Sequence, residues 1–257
     1  MRPIRTLVAP SVAAVVLAGC GGAEVAGKGA PASPSSSGGG ASASATPSPT
    51  PSDNGVAALG AEQILGKAKS ALKSADAVRI KGTAGSGADR FDIDMRYTAT
   101  SAHGTIAAAG QPIEMRRIGN TVYVKGSRQF WTDRVPPAAV ELLTGKWLKS
   151  PVTDQRFAGL AELTDLSKAA DGILEPDGAI TKGEKKAVAG TPAIALVSTG
   201  KDGGKLYIAT TGKPFPLQIV PTKPADSGQI AFIEYGKPVT VSPPPAELVI
   251  DVSKLGN

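Results

Sequence analysis

Phe91-Asp92-Ile93-Asp94-Met95-Arg96-Tyr97 decides the fold. Apolar and charged residues alternate strictly, which is the period of a strand with one buried and one solvated face. The same period extends outward on both sides. Upstream, Val78 and Ile80 alternate with Arg79 and Lys81. Downstream, strands are expected near His103–Ala109, Ile113–Ile118 and Thr121–Lys125, the last two joined at Gly119-Asn120 in a tight hairpin. Before the strands, Ile64, Leu65, Ala68, Leu72 and Ala75 fall on one face of a helix expected over 61–75.

Pro136-Pro137 interrupts the strand pattern. A short helix is expected over 138–144, because proline is favoured in a first helical turn. A longer one is expected over 156–170, its stripe formed by Phe157, Leu160, Leu163, Leu166 and Ala170. Strands resume near 179–188, 192–199, 205–210, 215–220 and 229–235, with Leu248–Leu255 as a last extended piece. The expectation is an α+β fold, in which a curved antiparallel sheet of about ten strands, half a β-barrel, is covered by about three helices.

The chain has 257 residues, one Cys and one His, and a formal charge of +6, or +4 without Arg2 and Arg5. One Cys excludes a disulfide framework, and one Cys with one His excludes a His/Cys zinc cage. Aromatic residues make up 4%, too few for a base-stacking nucleic-acid surface. The N-terminus reads as an export signal over 1–19: two arginines, then an apolar run from Leu7 to Leu17, too short to span a bilayer. From Gly21 to Gly55, thirty of thirty-five residues are Gly, Ala, Ser, Pro or Thr, a composition expected to form a disordered tether. One domain follows over 56–257.

Leu17-Ala18-Gly19-Cys20 resembles the bacterial lipobox. The resemblance implies cleavage before Cys20, a diacylglycerol on its thiol, and attachment to the outer face of the cytoplasmic membrane. The order helix, strands, helices, strands behind such a leader resembles the actinobacterial lipoproteins of the LppX and LprG type, related in fold to the LolA and LolB sorting factors. The local matches are Gly119-Asn120-Thr121-Val122-Tyr123-Val124-Lys125-Gly126, Gly145-Lys146-Trp147 and Leu206-Tyr207-Ile208-Ala209-Thr210-Thr211-Gly212-Lys213-Pro214. These motifs are turns and strands and mark no chemistry. The resemblance implies a lipid or acylated glycolipid held between sheet and helices. The wall would include Phe91, Ile93, Met95, Tyr97, Ile113, Met115, Leu217 and Ile219, with Leu142, Leu143, Phe157 and Leu160 in the cover. The alternative is that these residues form a closed core, and that the outer surface docks an envelope partner.

Catalytic patterns are weak. Ser70-Ala-Leu-Lys73 spells S-x-x-K, but Ser52-Asp53-Asn54 lies before it instead of after, and no K-T-G follows. Asp92 and Asp94 read as a solvated strand face, Asp89 as at most a weak cation ligand, and His103 as an exposed strand or turn residue. Trp131 and Trp147 read as packing at the edges of the short helix, and Lys182–Lys186 as a charged sheet edge. No dinucleotide or phosphate loop is present. The expectation is a monomeric, non-enzymatic protein without metal or cofactor.

Overall fold

The computed structural model describes residues 52–85, 90–200, 203–222 and 228–252. The export signal, the lipobox with Cys20, nearly all of the tether, and Asp89 lie outside the described residues. Pro49–Asn257 forms one compact unit with its own core.

The elements in order are α1 (Ala61–Lys73), β1 (Ala77–Ala84), β2 (Phe91–Thr98), β3 (Ser101–Ala108), β4 (Gln111–Ile118), β5 (Thr121–Gly126), α2 (Arg128–Thr132) and α3 (Pro137–Leu143). There follow β6 (Trp147–Pro151), α4 (Ala158–Glu162), α5 (Leu166–Ile173), β7 (Ile180–Val188), β8 (Thr191–Ser198), β9 (Gly204–Ala209), β10 (Pro216–Pro221), β11 (Gln229–Ile233) and β12 (Val249–Asp251). Among the described residues the twelve strands form one sheet, ordered β12-β6-β5-β4-β3-β2-β1-β11-β10-β9-β8-β7. Two antiparallel meanders, β1–β6 and β7–β11, join where β1 pairs with β11. Only β12 against β6 is parallel. The fold is α+β, a large open curved sheet with helices on its concave face.

At about 4.8 Å per strand a flat sheet of this order would be roughly 53 Å across, too wide for one core. Curling brings the inward rows together, and Ile80, Met95, Met115, Val124, Ile208 and Phe232 share one cluster with Ile64 and Leu72 of α1. Two glycines lie in the bend. Gly82, at φ +156°, faces Ile93 and Ile230, and a Cβ there would stand 1.9 Å from the Gln229 carbonyl oxygen. Gly104, at φ +150°, faces Met95 and Met115, and its Cβ would stand 2.0 Å from the Asp94 carbonyl oxygen. Strands approach each other there more closely than any side chain allows.

Two strands exceed the sequence expectation: β6, and β12 from within the last extended piece. The helix expected over 156–170 is broken. A 3-10 turn over Gln155–Phe157 leads into α4, and a new helix starts after Asp165, whose carboxylate accepts the Ser167 and Lys168 N–H groups. A side chain that caps backbone donors starts a helix better than it continues one. A further short helix, α2, is capped by Ser127 accepting the Phe130 N–H.

On the convex face a cross-strand row runs Arg79, Arg96, His103, Arg116, Tyr123, Lys149 and Asp251. After β11 the chain crosses this face as an extended strap. Glu234 meets Arg79 at 3.5 Å and Arg96 at 3.4 Å, Arg116 donates to the Ser242 carbonyl at 2.9 Å, and Lys146 to that of Glu247 at 3.1 Å. Lys149 pairs with Asp251 at 2.8 Å, where the strap has become β12.

Candidate functional site

The concave face is filled unevenly. Over β2–β5 it is closed by side chains. Phe130 and Trp131 of α2 pack edge to face with centroids 4.8 Å apart, Val140 and Leu143 of α3 are buried beside them, and all four belong to the core. Gly126 admits the Phe130 ring, since a Cβ there would stand 2.3 Å from it.

Over β7–β11 the cover is α1 together with the end of α5; α5 is held against α1 by Lys69–Glu175 at 2.9 Å and Lys73–Asp171 at 2.5 Å. Its start is fixed by Asp165, which also takes Arg117 at 2.7 Å. Burial raises the Asp165 pKa, but that guanidinium and two backbone N–H groups outweigh it and hold the carboxyl below the ordinary range. The last turn of α5 and the residues following it stand off the sheet. The space beneath is a cavity of about 650 Å³. Its apolar walls are Leu65 of α1, Phe91 of β2, Ile173 and Leu174 at the end of α5, and Ile180, Leu196, Leu206, Ile219 and Ile230 from β7–β11. The polar lining, Thr83, Glu175, Asp177, Ser198 and Gln229, lies where β1, β8 and β10 end and β9 and β11 begin. The Asp177 carbonyl accepts the Ser198 hydroxyl and the Gly200 N–H, so this end is closed by a turn network.

The structure brings two of the twelve expected wall and cover residues, Phe91 and Ile219, into this cavity. Ile93, Met95, Tyr97, Ile113 and Met115 lie on the same concave face but are packed into the core, as is Leu143. Phe157 and Leu160 are half-buried against it. Leu142 is not in it: the residue points outward from α3 and is 52% exposed. Leu217 is not in it either. A register shift between Pro216 and Gln218 turns it to a small convex cluster with Ala193, Ala195 and Tyr207. Sequence reasoning missed Leu65, Ile173, Leu174, Ile180, Leu196, Leu206 and Ile230. Their signal, inward alternation in the second meander, is identical to that of the first.

The residues weighed for chemistry are engaged elsewhere. Ser70 donates its hydroxyl to the Gly66 carbonyl, and Lys73 holds Asp171. Asp94 takes two 2.7 Å bonds from Arg79, and Asp92 is held by Arg90 and Thr83. Those partners hold both carboxyls below the usual range against the opposing effect of desolvation. His103 is half-buried instead of exposed, with a buried Nδ1 that has no hydrogen-bond partner among the described residues. Both tryptophans are buried, and Trp147 lies on the convex face with the Arg116 guanidinium 4.7 Å from its ring centre.

No family profile and no curated protein matches the chain. Solved structures do. LprF from Mycobacterium bovis is 15% identical with a TM-score of 0.47, covering 72% of this chain and 96% of that one. The Mycobacterium tuberculosis lipoprotein LppX is 13% identical with a TM-score of 0.42, covering 70% and 99%. A LolA superfamily protein from Nitrosomonas europaea is 11% identical with a TM-score of 0.26, covering 69% and 93%. The chain is similar to these two mycobacterial lipoproteins and to this one LolA superfamily protein, at 15% identity and below.

Proposed function

We propose that the chain is a lipid-binding carrier of the cell envelope, tethered through a diacylglyceryl group on Cys20, that holds an acyl chain under α5. One observation carries the proposal: in a concave face otherwise filled by side chains, about 650 Å³ stays open and its walls are aliphatic and aromatic. The volume falls within the roughly 300–1,000 Å³ of small-molecule sites. Burying an acyl chain there gains about 0.8 kcal/mol per methylene. A polar head would rest among Thr83, Ser198 and Gln229 at the end of the strands. Binding of this kind needs no catalytic group.

Residues 49–257, exported and purified without detergent, test this by native mass spectrometry followed by solvent extraction. This piece contains no Cys20, so any adduct is non-covalent. The expected result is a reproducible bound mass that solvent removes. A bare mass that takes up none of a panel of offered lipids overturns the proposal and leaves a scaffold whose outer surface does the work.

A further inference from the structure

We propose that the outward side of α1, together with the turn between β9 and β10, is a docking surface for the anionic phospholipid headgroups of a bilayer. A groove of about 570 Å³ runs there, floored by Gly66, Ser70 and Ser74 and flanked by Lys67 on α1 and Lys213 on the turn. No acidic residue lines it. Lys69 and Lys73 on the same helix hold Glu175 and Asp171, whereas Lys67 and Lys213 have no carboxylate partner among the described residues. The serine hydroxyls donate back to the Gly66 and Ala71 carbonyls, which leaves a smooth neutral floor between two cationic walls. Cations beside a small-residue trough complement a layer of phosphodiesters.

The course of the chain supports the same orientation. Gly212 N–H donates to the Ser52 carbonyl, and Asn54 donates its amide to the Gly212 carbonyl at 3.1 Å, so the described residues begin beside Lys213. With Cys20 in the membrane, the thirty-one residues of Gly21–Pro51, by their Gly/Ser-rich composition alone, would reach about 30 Å. This second argument rests on the proposed lipidation, while the charge of the groove does not. The polar end of the cavity lies where β9 begins, and the groove lies where β9 ends, roughly 20 Å along the strand. Docking therefore does not cover that end.

The test is sedimentation of residues 49–257 with vesicles of phosphatidylcholine alone or of phosphatidylcholine mixed with phosphatidylglycerol. Binding is expected only to the mixed vesicles and is expected to weaken with salt. A lysine near an anionic surface contributes about fivefold, so Lys67→Ala with Lys213→Ala is expected to lower the partition constant roughly 25-fold. Ser70→Glu, an exposed helix position, is expected to weaken it independently. Arg128→Ala with Arg156→Ala, exposed cations on α2 and just before α4 in the other half of the sheet, is expected to leave it within about twofold. Equal binding to both vesicle types, no binding, or a loss confined to the Arg128/Arg156 pair overturns the proposal. The lipid content of the cavity, read by mass in the same samples, is expected to stay unchanged in all these variants, which separates this outcome from that of the carrier proposal.

Discussion

The Tyr97 hydroxyl donates to the Leu163 carbonyl at 3.0 Å, tying the centre of the sheet to the break between α4 and α5. The ring is fully buried, and desolvation pushes its pKa well above the ordinary tyrosine range. It acts here only as a neutral donor. Tyr97→Phe keeps the packing and leaves the carbonyl without its donor. The expected cost is about 1–2 kcal/mol in urea unfolding, with the greatest gain in amide exchange over 158–166. An unchanged midpoint would show that the contact holds nothing.

Gly82 and Gly104 stand where any Cβ would overlap a neighbouring carbonyl oxygen. Gly82→Ala and Gly104→Ala are each expected to cost about 2–4 kcal/mol or to prevent folding. Gly66, inside α1 with nothing within 4 Å, behaves oppositely. Gly66→Ala is expected to stabilise by about 0.5–1 kcal/mol. Thermal melts of the three variants check both signs at once.

Cavity volume can be removed from the concave face of β9 and β10. Ile219→Trp and Leu206→Trp place bulk into the space under α5, and the expected result is a folded protein with at least tenfold less extractable lipid. Leu217→Trp, on the convex side, is expected to leave the lipid content as it is. Equal loss in all three variants would mean that the bound mass lies elsewhere.

Burial first, and then the Arg96 and Arg116 guanidinium groups on the adjacent strands, lower the pKa of His103, while Asp94 opposes them weakly. The unfolded chain therefore takes up the proton first, at about pH 6.5. Stability from this group is complete above that pH and is lost as the pH falls towards the lower folded-state value. Because His103 is the only histidine, His103→Gln is expected to flatten the change in unfolding midpoint between about pH 7.5 and pH 5.5.

The Tyr207 hydroxyl and the Lys205 ammonium hold the Glu184 carboxyl down to a pKa of about 2. Tyr207→Phe removes the larger cause and is expected to move the NMR titration of Glu184 upward, towards the ordinary value of about 4.3. The folded value is depressed, so its contribution to stability is present above the unfolded value and is lost as the pH falls towards about 2.

The strand alternation of Phe91–Tyr97, the hairpin at Gly119-Asn120 and the amphipathic stripe of α1 were all legible, because each is set by residues close in sequence. What closes the sheet was not. Arg79 lies opposite Ile233, and no local pattern announces a partner so far along the chain. The position of the cavity was hidden for a related reason. Met95 and Leu206 carry the same inward-facing signal, and only the descent of Phe130 and Trp131 onto one meander, with the end of α5 standing off the other, makes one a core residue and the other a wall. The outward turn of Leu217 depends on a single register shift, which alternation cannot show.

The strap that crosses the convex face also fixes the order in which the molecule can be completed. The hairpins from β1 to β5 can zip as the chain is made, each beside its predecessor. The free side of β1 then waits for β11, and the row from Arg79 to Lys149 waits for Glu234, Ser242 and Asp251. These lie more than eighty residues further along the chain than Lys149. Until they arrive the molecule carries an unpaired central strand edge and an uncovered basic row, and long-range closure of this kind is slow. A chain stalled or cut short of residue 229 would therefore present a strand edge ready to pair with a second incomplete copy.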